Sequence, residues 1–195
     1  SNETKVVFVD VSDKKDPKLI SEFFYDDEYT HQSWLTEDHR YALIGDEYDE
    51  LNSSYELVNN TRTIIIDITN LDNPTLHYEY VAETDAIDHN GYVKGNNFYL
   101  ASYTSGLRVI DIQNIDQKSL TETGYFDSHI DNHHKQNTFR YGQIKNNDPG
   151  DHMGSKGQGI EAFNGAWSVY PFFDSENIII SDINSGLFIV KKSSL

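Results

Sequence analysis

The sequence predicts an all-β chain built as a β-propeller, and three observations carry that prediction. First, an apolar segment closing on Asp recurs, each time followed by a polar turn and a second β segment holding an aromatic: VVFVDVSDKKDPKLISEFFY (6–25), TIIIDITNLDNPTLHYEYV (63–81) and LRVIDIQNIDQKSLTETGYF (107–126). The anchoring residues Asp10, Asp67 and Asp111 are 57 and 44 residues apart, and a short copy, GLFIVKK (186–192), begins 80 residues after the start of its counterpart at Gly106. Second, a further strand pair precedes these copies: HQSWL then HRYALIGDE, DHNGYV then NNFYLASYTSG, and AWSVYPFF then ENIIISDINSG. Four short antiparallel strands in a repeat of roughly 40 to 50 residues is the arithmetic of a propeller blade. Third, the segments are short, β-branched or aromatic, and separated by Asn, Asp and Gly, which argues against helical repeats of similar length.

The chain of 195 residues reads as one propeller portion spanning 1–195. Its 13 Tyr and 10 Phe against a single Met lean the same way, since aromatics fit a pleated, half-buried surface. The leading pair, 6–25, reads as the outer strands of a blade whose inner strands lie elsewhere. Three four-strand units follow, two of them lengthened by insertions at 48–61 and 127–164. The second insertion is polar and glycine-rich with little periodicity, and disorder is its expected state. About three to four blades are too few for a closed ring of typically about four to eight. A missing N-terminal half of the propeller, or a partner that completes it, is therefore expected, because open sheet edges expose unpaired backbone groups.

Charge excludes one class of partner. Against 32 acidic residues stand 15 basic ones, a formal charge of −17, which repels phosphate backbones and rules against nucleic-acid binding. Without cysteine there are no disulfides, thiolate metal sites or cysteine nucleophiles. No apolar run approaches the ~20 residues of a membrane helix. SNETKVVFVD passes almost at once into a strand, so a secretion signal, if the protein has one, lies outside this sequence.

With these motifs laid out, the chain resembles the choice-of-anchor B family of bacterial surface proteins, built from LVIVD-type repeats. The stretches that carry the resemblance are YTHQSWLTEDHRYALIGDEYDE, NTRTIIIDITNLDNPTL, AIDHNGYVKGNNFYLASYTSGLRVIDI, LTETGYFD, and FNGAWSVYPFF followed by IIISDINSGLFIV. They cover nearly the whole chain in order, apart from the 127–162 stretch. The resemblance implies a larger exported β-propeller, extracellular or at the cell surface, whose C-terminal half looks like this sequence. It also implies a C-terminal anchor, yet KKSSL follows a strand directly and shows none. The family brings no assigned reaction that could be carried over to any residue.

Chemistry is sought where the units place polar residues. Aligning HQSWL, DHNGYV and GAWSVY puts His31, Gln32, Asp88, His89, Asn90 and Trp167 on innermost strands, at the mouth of the central channel. Imidazole with carboxylate suits zinc or another transition metal, whereas carboxylate and amide oxygens alone suit calcium. The competing reading has His31, His89 and Trp167 tying neighbouring blades together by hydrogen bonds and packing. GDEYDE (45–50) gathers Asp46, Glu47, Asp49 and Glu50 at a strand end, hard oxygen ligands of the kind calcium takes, though without EF-hand spacing. The competing reading there is a solvated acidic loop. DSHIDNHHKQN (127–137) holds His129, Asp131, His133 and His134 and reads as an exposed loop. GSKGQG (154–159) lacks the setting and ending of a phosphate loop, and NSS (52–54) and NNT (59–61) match the glycosylation pattern. No nucleophile elbow is present.

The leading expectation is a non-enzymatic exported or cell-surface propeller acting in binding, adhesion or extracellular assembly, with a protein or glycan partner or with itself. The alternative is a propeller enzyme such as a hydrolase or lactonase, dependent on calcium or a transition metal. Calcium is the one cofactor suggested by residue type. A third expectation is an architectural subunit of a filament or surface layer.

Overall fold

YALIGD (41–46) and RTIIID (62–67) are nearly continuous apolar runs, and they are buried along almost their whole length. A strand of that kind must be covered on both faces, and the architecture supplies a sheet on each side. The computed structural model describes residues 4–25, 29–51, 60–129, 143–144 and 159–193.

Fourteen strands account for nearly all regular structure among the described residues. β1 (Val6–Asp10) and β2 (Lys18–Phe23) form a two-stranded sheet. β3 (Thr30–Leu35), β4 (Tyr41–Asp46), β5 (Arg62–Asp67) and β6 (Thr75–Val81) form an antiparallel meander, as do β7 (Asn90–Lys94), β8 (Asn97–Ser102), β9 (Gly106–Asn114) and β10 (Ser119–Phe126). The last sheet joins β12 (Ala166–Tyr170), β13 (Asn177–Asp182) and β14 (Gly186–Lys192) in the same way. Its fourth strand is β11 (Gln143–Ile144), which pairs with β14 in parallel.

Strand pleating divides the core. In β4, Leu43 faces the β7–β10 sheet while Ala42 and Ile44 face the β1–β2 pair; in β5, Ile65 faces the first and Ile64 and Ile66 the second. One step along, Phe98 and Leu100 of β8 and Ile110 of β9 meet Leu43 and Ile65. The alternate residues Ala101, Leu107 and Val109 pack on Val169, Ile178, Ile180 and Val190 of the last sheet. A period of two therefore sends each middle strand's residues into two inter-sheet cores, and this is why the strands look uniformly apolar. The innermost strands β3, β7 and β12 touch in that order, side by side.

The repeated aspartates share a local turn. Asp10, Asp67 and Asp111 each accept a hydrogen bond at Oδ1 from the backbone N–H two residues on, at 2.8, 2.9 and 2.8 Å. Such a local turn competes with ladder pairing: β1 and β5 end at Asp10 and Asp67, whereas β9 runs on past Asp111 to Asn114. The three inner hairpins also share a device: His39, Gly95 and Glu176 hold φ of 58°, 59° and 61° at the turn.

Two expectations need correction. The 127–164 insertion contributes structure: β11 lies within it, and a 3-10 turn, Gly159–Phe163, sets fully buried Ala162 against Ile87 and Tyr103. Strand order also differs in the last sheet, whose outer strand comes from that insertion and runs parallel, because the chain reaches it before β12 rather than after β14.

Candidate functional site

The β3–β4 register pairs Thr30 with Asp46 and Gln32 with Gly45, leaving His31 as the extra residue of a bulge. A bulge re-aims its side chain, and this one turns the imidazole toward the next sheet. Trp167 is the extra residue of the corresponding bulge in β12. His89 lies one residue before β7, between the two.

The three are threaded together by ring nitrogens. His31 Nδ1 donates to the His89 carbonyl at 3.1 Å, and His89 Nδ1 donates to the Trp167 carbonyl at 2.5 Å. A carbonyl oxygen only accepts, so each Nδ1 carries a hydrogen, and each ring turns its Nε2 the other way. The rings stack as well, with His31 to His89 at 4.4 Å and His89 to Trp167 at 4.0 Å between centroids. Asn90 Nδ2 donates to the same Trp167 carbonyl at 3.1 Å. Through Nδ1 of each ring these bonds tie neighbouring sheets together.

Both Nε2 atoms face Glu47. His31 Nε2 lies 3.7 Å from Glu47 Oε2 and His89 Nε2 lies 3.8 Å from Glu47 Oε1. Tyr103 donates its hydroxyl to Glu47 Oε1 at 2.6 Å, which steadies the carboxylate. Burial, then that hydrogen bond, pushes the Tyr103 hydroxyl well above its usual range, so it stays a donor. Burial pulls the His89 imidazole down, keeping it neutral. The donor atoms of His31, Glu47 and His89 all lie within 4.8 Å of one another. Bonds of about 2.1 Å would require these donors to be roughly 3 to 3.5 Å apart, a small contraction. Nδ1 held by a carbonyl with Nε2 directed inward is how proteins orient metal-binding histidine. Two imidazoles and a carboxylate suit zinc or a related transition metal and leave coordination positions open.

The acidic segment is no solvated loop. Asp46, Glu47, Asp49 and Glu50 are 0%, 8%, 1% and 2% exposed. Asp46 is spent on structure: it accepts from Tyr29 N at 2.7 Å, Tyr48 N at 3.2 Å and the Tyr25 hydroxyl at 2.9 Å. Asp49 pairs with Arg62 Nε at 2.7 Å, deep in the protein, and Arg62 reaches Glu79 at 3.3 Å. Glu50 shares a hydrogen bond with Asp49. Asp88 joins this group from the neighbouring sheet at 1% exposure. Burial first, and then the surrounding carboxylates, drive the Asp88 and Glu50 carboxyls far above the usual range. A turn follows β4 at residues 48–51, with Leu51 N donating to the Tyr48 carbonyl at 3.0 Å.

Sequence reading assigned His31 and His89 to one set and Glu47 to another; the fold makes them one site. Trp167 and Asn90 support it through the Trp167 carbonyl, while Gln32 and Asp88 lie beneath Gly45. Tyr103, Arg62 and Phe163 were not foreseen. Tyr103 closes the edge-on contact to Phe163 at 5.5 Å, a pairing between distant segments that leaves no local pattern. Asp131, His133, His134 and the 52–54 sequon lie outside the described residues, as do Asn59 of the second sequon and nearly all of GSKGQG.

No protein-family model and no curated protein matches the chain. Among solved structures it is similar to the β-propeller domain of Cps50 (Swd1) from Myceliophteria thermophila, with a TM-score of 0.56 at 10% identity. The match covers 98% of this chain and 52% of that one, so the chain spans about half the length of the propeller it resembles. At this identity the likeness concerns fold alone: the protein is an all-β chain with the architecture of part of a β-propeller.

Proposed function

We propose that the chain is part of an exported β-propeller that captures its ligand through a divalent transition metal held at the channel end by His31, His89 and Glu47. One observation carries the reading: two imidazoles from adjacent sheets, each held at Nδ1 by a backbone carbonyl, direct Nε2 at one carboxylate. The open coordination positions would take a donor atom from a protein or glycan partner. Placement outside the cell or at its surface, and a binding or assembly role there, rest on the resemblance to the choice-of-anchor B family. The remaining part of the ring would come from chain or partner beyond these residues.

Zinc titration followed by tryptophan fluorescence tests the site, since the Trp167 ring stacks 4.0 Å from His89. One equivalent should bind. His31→Ala and His89→Ala should each weaken binding more than about 100-fold, beyond the roughly 10–100-fold typical of losing an outer partner. Unchanged affinity in both variants would overturn the assignment.

A hydrolytic reading has one observation in its favour. The Tyr103 hydroxyl, kept protonated, lies 2.6 Å from a metal-ligand candidate in a site with open positions. Turnover of lactones or esters by the zinc-loaded protein, lost in His89→Ala, would favour it over capture.

A further inference from the structure

The inter-sheet cores of this chain are built from rows of directly opposed residues, which share a face. Trp34, Leu43 and Ile65 form one such row across β3, β4 and β5, and Tyr92, Tyr99 and Val109 form its equivalent across β7, β8 and β9. Each row starts from an aromatic on the innermost strand and faces the following sheet. Leu43 and Ile65 share a core with Phe98, Leu100 and Ile110, and Tyr99 and Val109 share one with Ile178, Ile180 and Val190. The last sheet repeats the row as Tyr170, Ile179 and Ile189. Among the described residues no sheet follows to cover it. Tyr170 and Ile189 are 46% and 47% exposed, and Leu187, the counterpart of fully buried Leu107, is 62% exposed.

The complementary face is open on the first sheet. Val9 stands before Asp10 as Ile66 stands before Asp67 and Ile110 before Asp111. Ile66 and Ile110 turn toward the preceding sheet and are fully buried there. Val6 and Phe8 pack toward β4 and β5, so the alternate residue Val9 points the other way. Among the described residues no sheet precedes it, and Val9 and Leu19, directly opposed on β2, are 42% and 61% exposed. The chain therefore carries two unlike apolar faces, one shaped by the repeat to take a following sheet and one to take a preceding sheet.

We propose that a second copy of this chain covers both faces, the last sheet of each copy packing on the β1–β2 pair of the other. The proposal rests on the reading that the remaining part of the ring comes from beyond these residues, and it names that part. Contacts between unlike faces close into a ring when the rotation per copy fits, and otherwise run on as filaments. This chain spans 52% of the propeller it resembles, so two copies make one turn and the assembly closes. Each contact continues the aliphatic packing already present twice between the chain's own sheets. Closure would set two His31–Glu47–His89 sites around one channel.

The test is sedimentation equilibrium of the 195-residue chain over a range of concentrations, at about 0.15 M salt to screen the repulsion between copies of charge −17. A dimer that tightens with salt is expected. Leu187→Asp on one face and Leu19→Asp on the other should each weaken it about tenfold or more, the scale of losing one buried leucine. Leu76→Asp, equally exposed but on an internal sheet, should leave it unchanged. All three positions are exposed, and circular dichroism should show the fold retained in each variant. Zinc should still bind Leu187→Asp at one equivalent per chain, which keeps a failure here distinct from a failure of the metal site. A monomer at every concentration would overturn the proposal, the faces then belonging to another polypeptide. Growth past the dimer would refute closure, and a dimer insensitive to Leu19→Asp would refute the pairing of unlike faces.

Discussion

Asp67 and Asp88 carry the same side chain at opposite ends of the sheets, and they live in opposite chemistry. At one end Asp10 and Asp67 finish β1 and β5 and Asp111 lies close to the end of β9, near solvent, each bonded to a backbone N–H. The N–H of Thr69 holds the Asp67 carboxyl below its usual range, and Ser12 does the same for Asp10. At the other end Asp49, Glu50 and Asp88 are buried together and pushed upward by desolvation. The first set stabilises turns and is stable in any solvent that keeps it ionised. The second set costs stability unless something compensates its charge, and structures retain such groups for binding more readily than for support.

Removing the compensation already present should have the largest effect. Arg62→Met leaves Asp49 buried without its partner and is expected to destabilise the fold by about 3–5 kcal/mol, read by chemical denaturation. An effect below about 1 kcal/mol would mean that Asp49 is neutral and the contrast between the two ends is weaker than drawn.

Acidity distinguishes the ends next. Asp88 and Glu50 have folded pKa values raised above their unfolded ones, so the folded state binds more protons. Their favourable contribution is complete below about pH 4 and is lost as pH rises through the raised folded values. Stability in chelator should therefore fall as pH is raised from 5 toward 8, by at most about 1.4 kcal/mol per unit for each proton released. Asp88→Asn should flatten the slope. A slope that is flat in the wild type would remove the contrast.

Gly45→Ala probes the Asp88 end by shape instead of charge. The added methyl would stand 2.2 Å from Asp88 Oδ2, so the carboxylate must move. A loss of about 1–3 kcal/mol is expected from such overpacking, seen as a lowered Tm. Gly95→Ala, whose Cβ meets nothing within 4 Å, controls for crowding at the far end, though its φ of +59° adds backbone strain of its own.

Asp67→Ala should have the smallest effect. One exposed turn hydrogen bond is lost, at a cost of about 0.5–1 kcal/mol by thermal melting. Because the Asp67 carboxyl is lowered, its contribution is present above about pH 4 and lost as pH falls below that, the reverse of the Asp88 dependence.

Much of this was legible in the sequence, and the reason is local. The Asp that closes each apolar segment acts on its own backbone two residues on, so the repeat and its turns are read from neighbours alone. The four-strand period follows from turns and apolar runs in the same way. His31 with Glu47 was legible only in part: a hairpin that pairs Thr30 with Asp46 sets Glu47 against Tyr29, and the bulge at His31 is what aims its ring at Glu47. His89 joining them was not, since no sequence rule states how far one sheet slides over the next. The acidic segment misled for a related reason: GDEYDE has the composition of a solvated loop, and only its contacts with Tyr25, Arg62 and Tyr103, distant in sequence, bury it.

By itself, then, the sequence determined the all-β class, the repeating strand units, the local aspartate turns, the exclusion of thiol chemistry and a strongly acidic net charge. These depend on interactions between residues close in the chain, or on net charge, and both survive without knowledge of the fold. The tertiary structure alone decided that two histidines and a glutamate share one point, that Asp88 lies over Gly45, and that an insertion supplies a parallel edge strand. Those facts depend on how sheets pack face to face, where a shift of a single residue pair would separate every one of these contacts while leaving each strand unchanged.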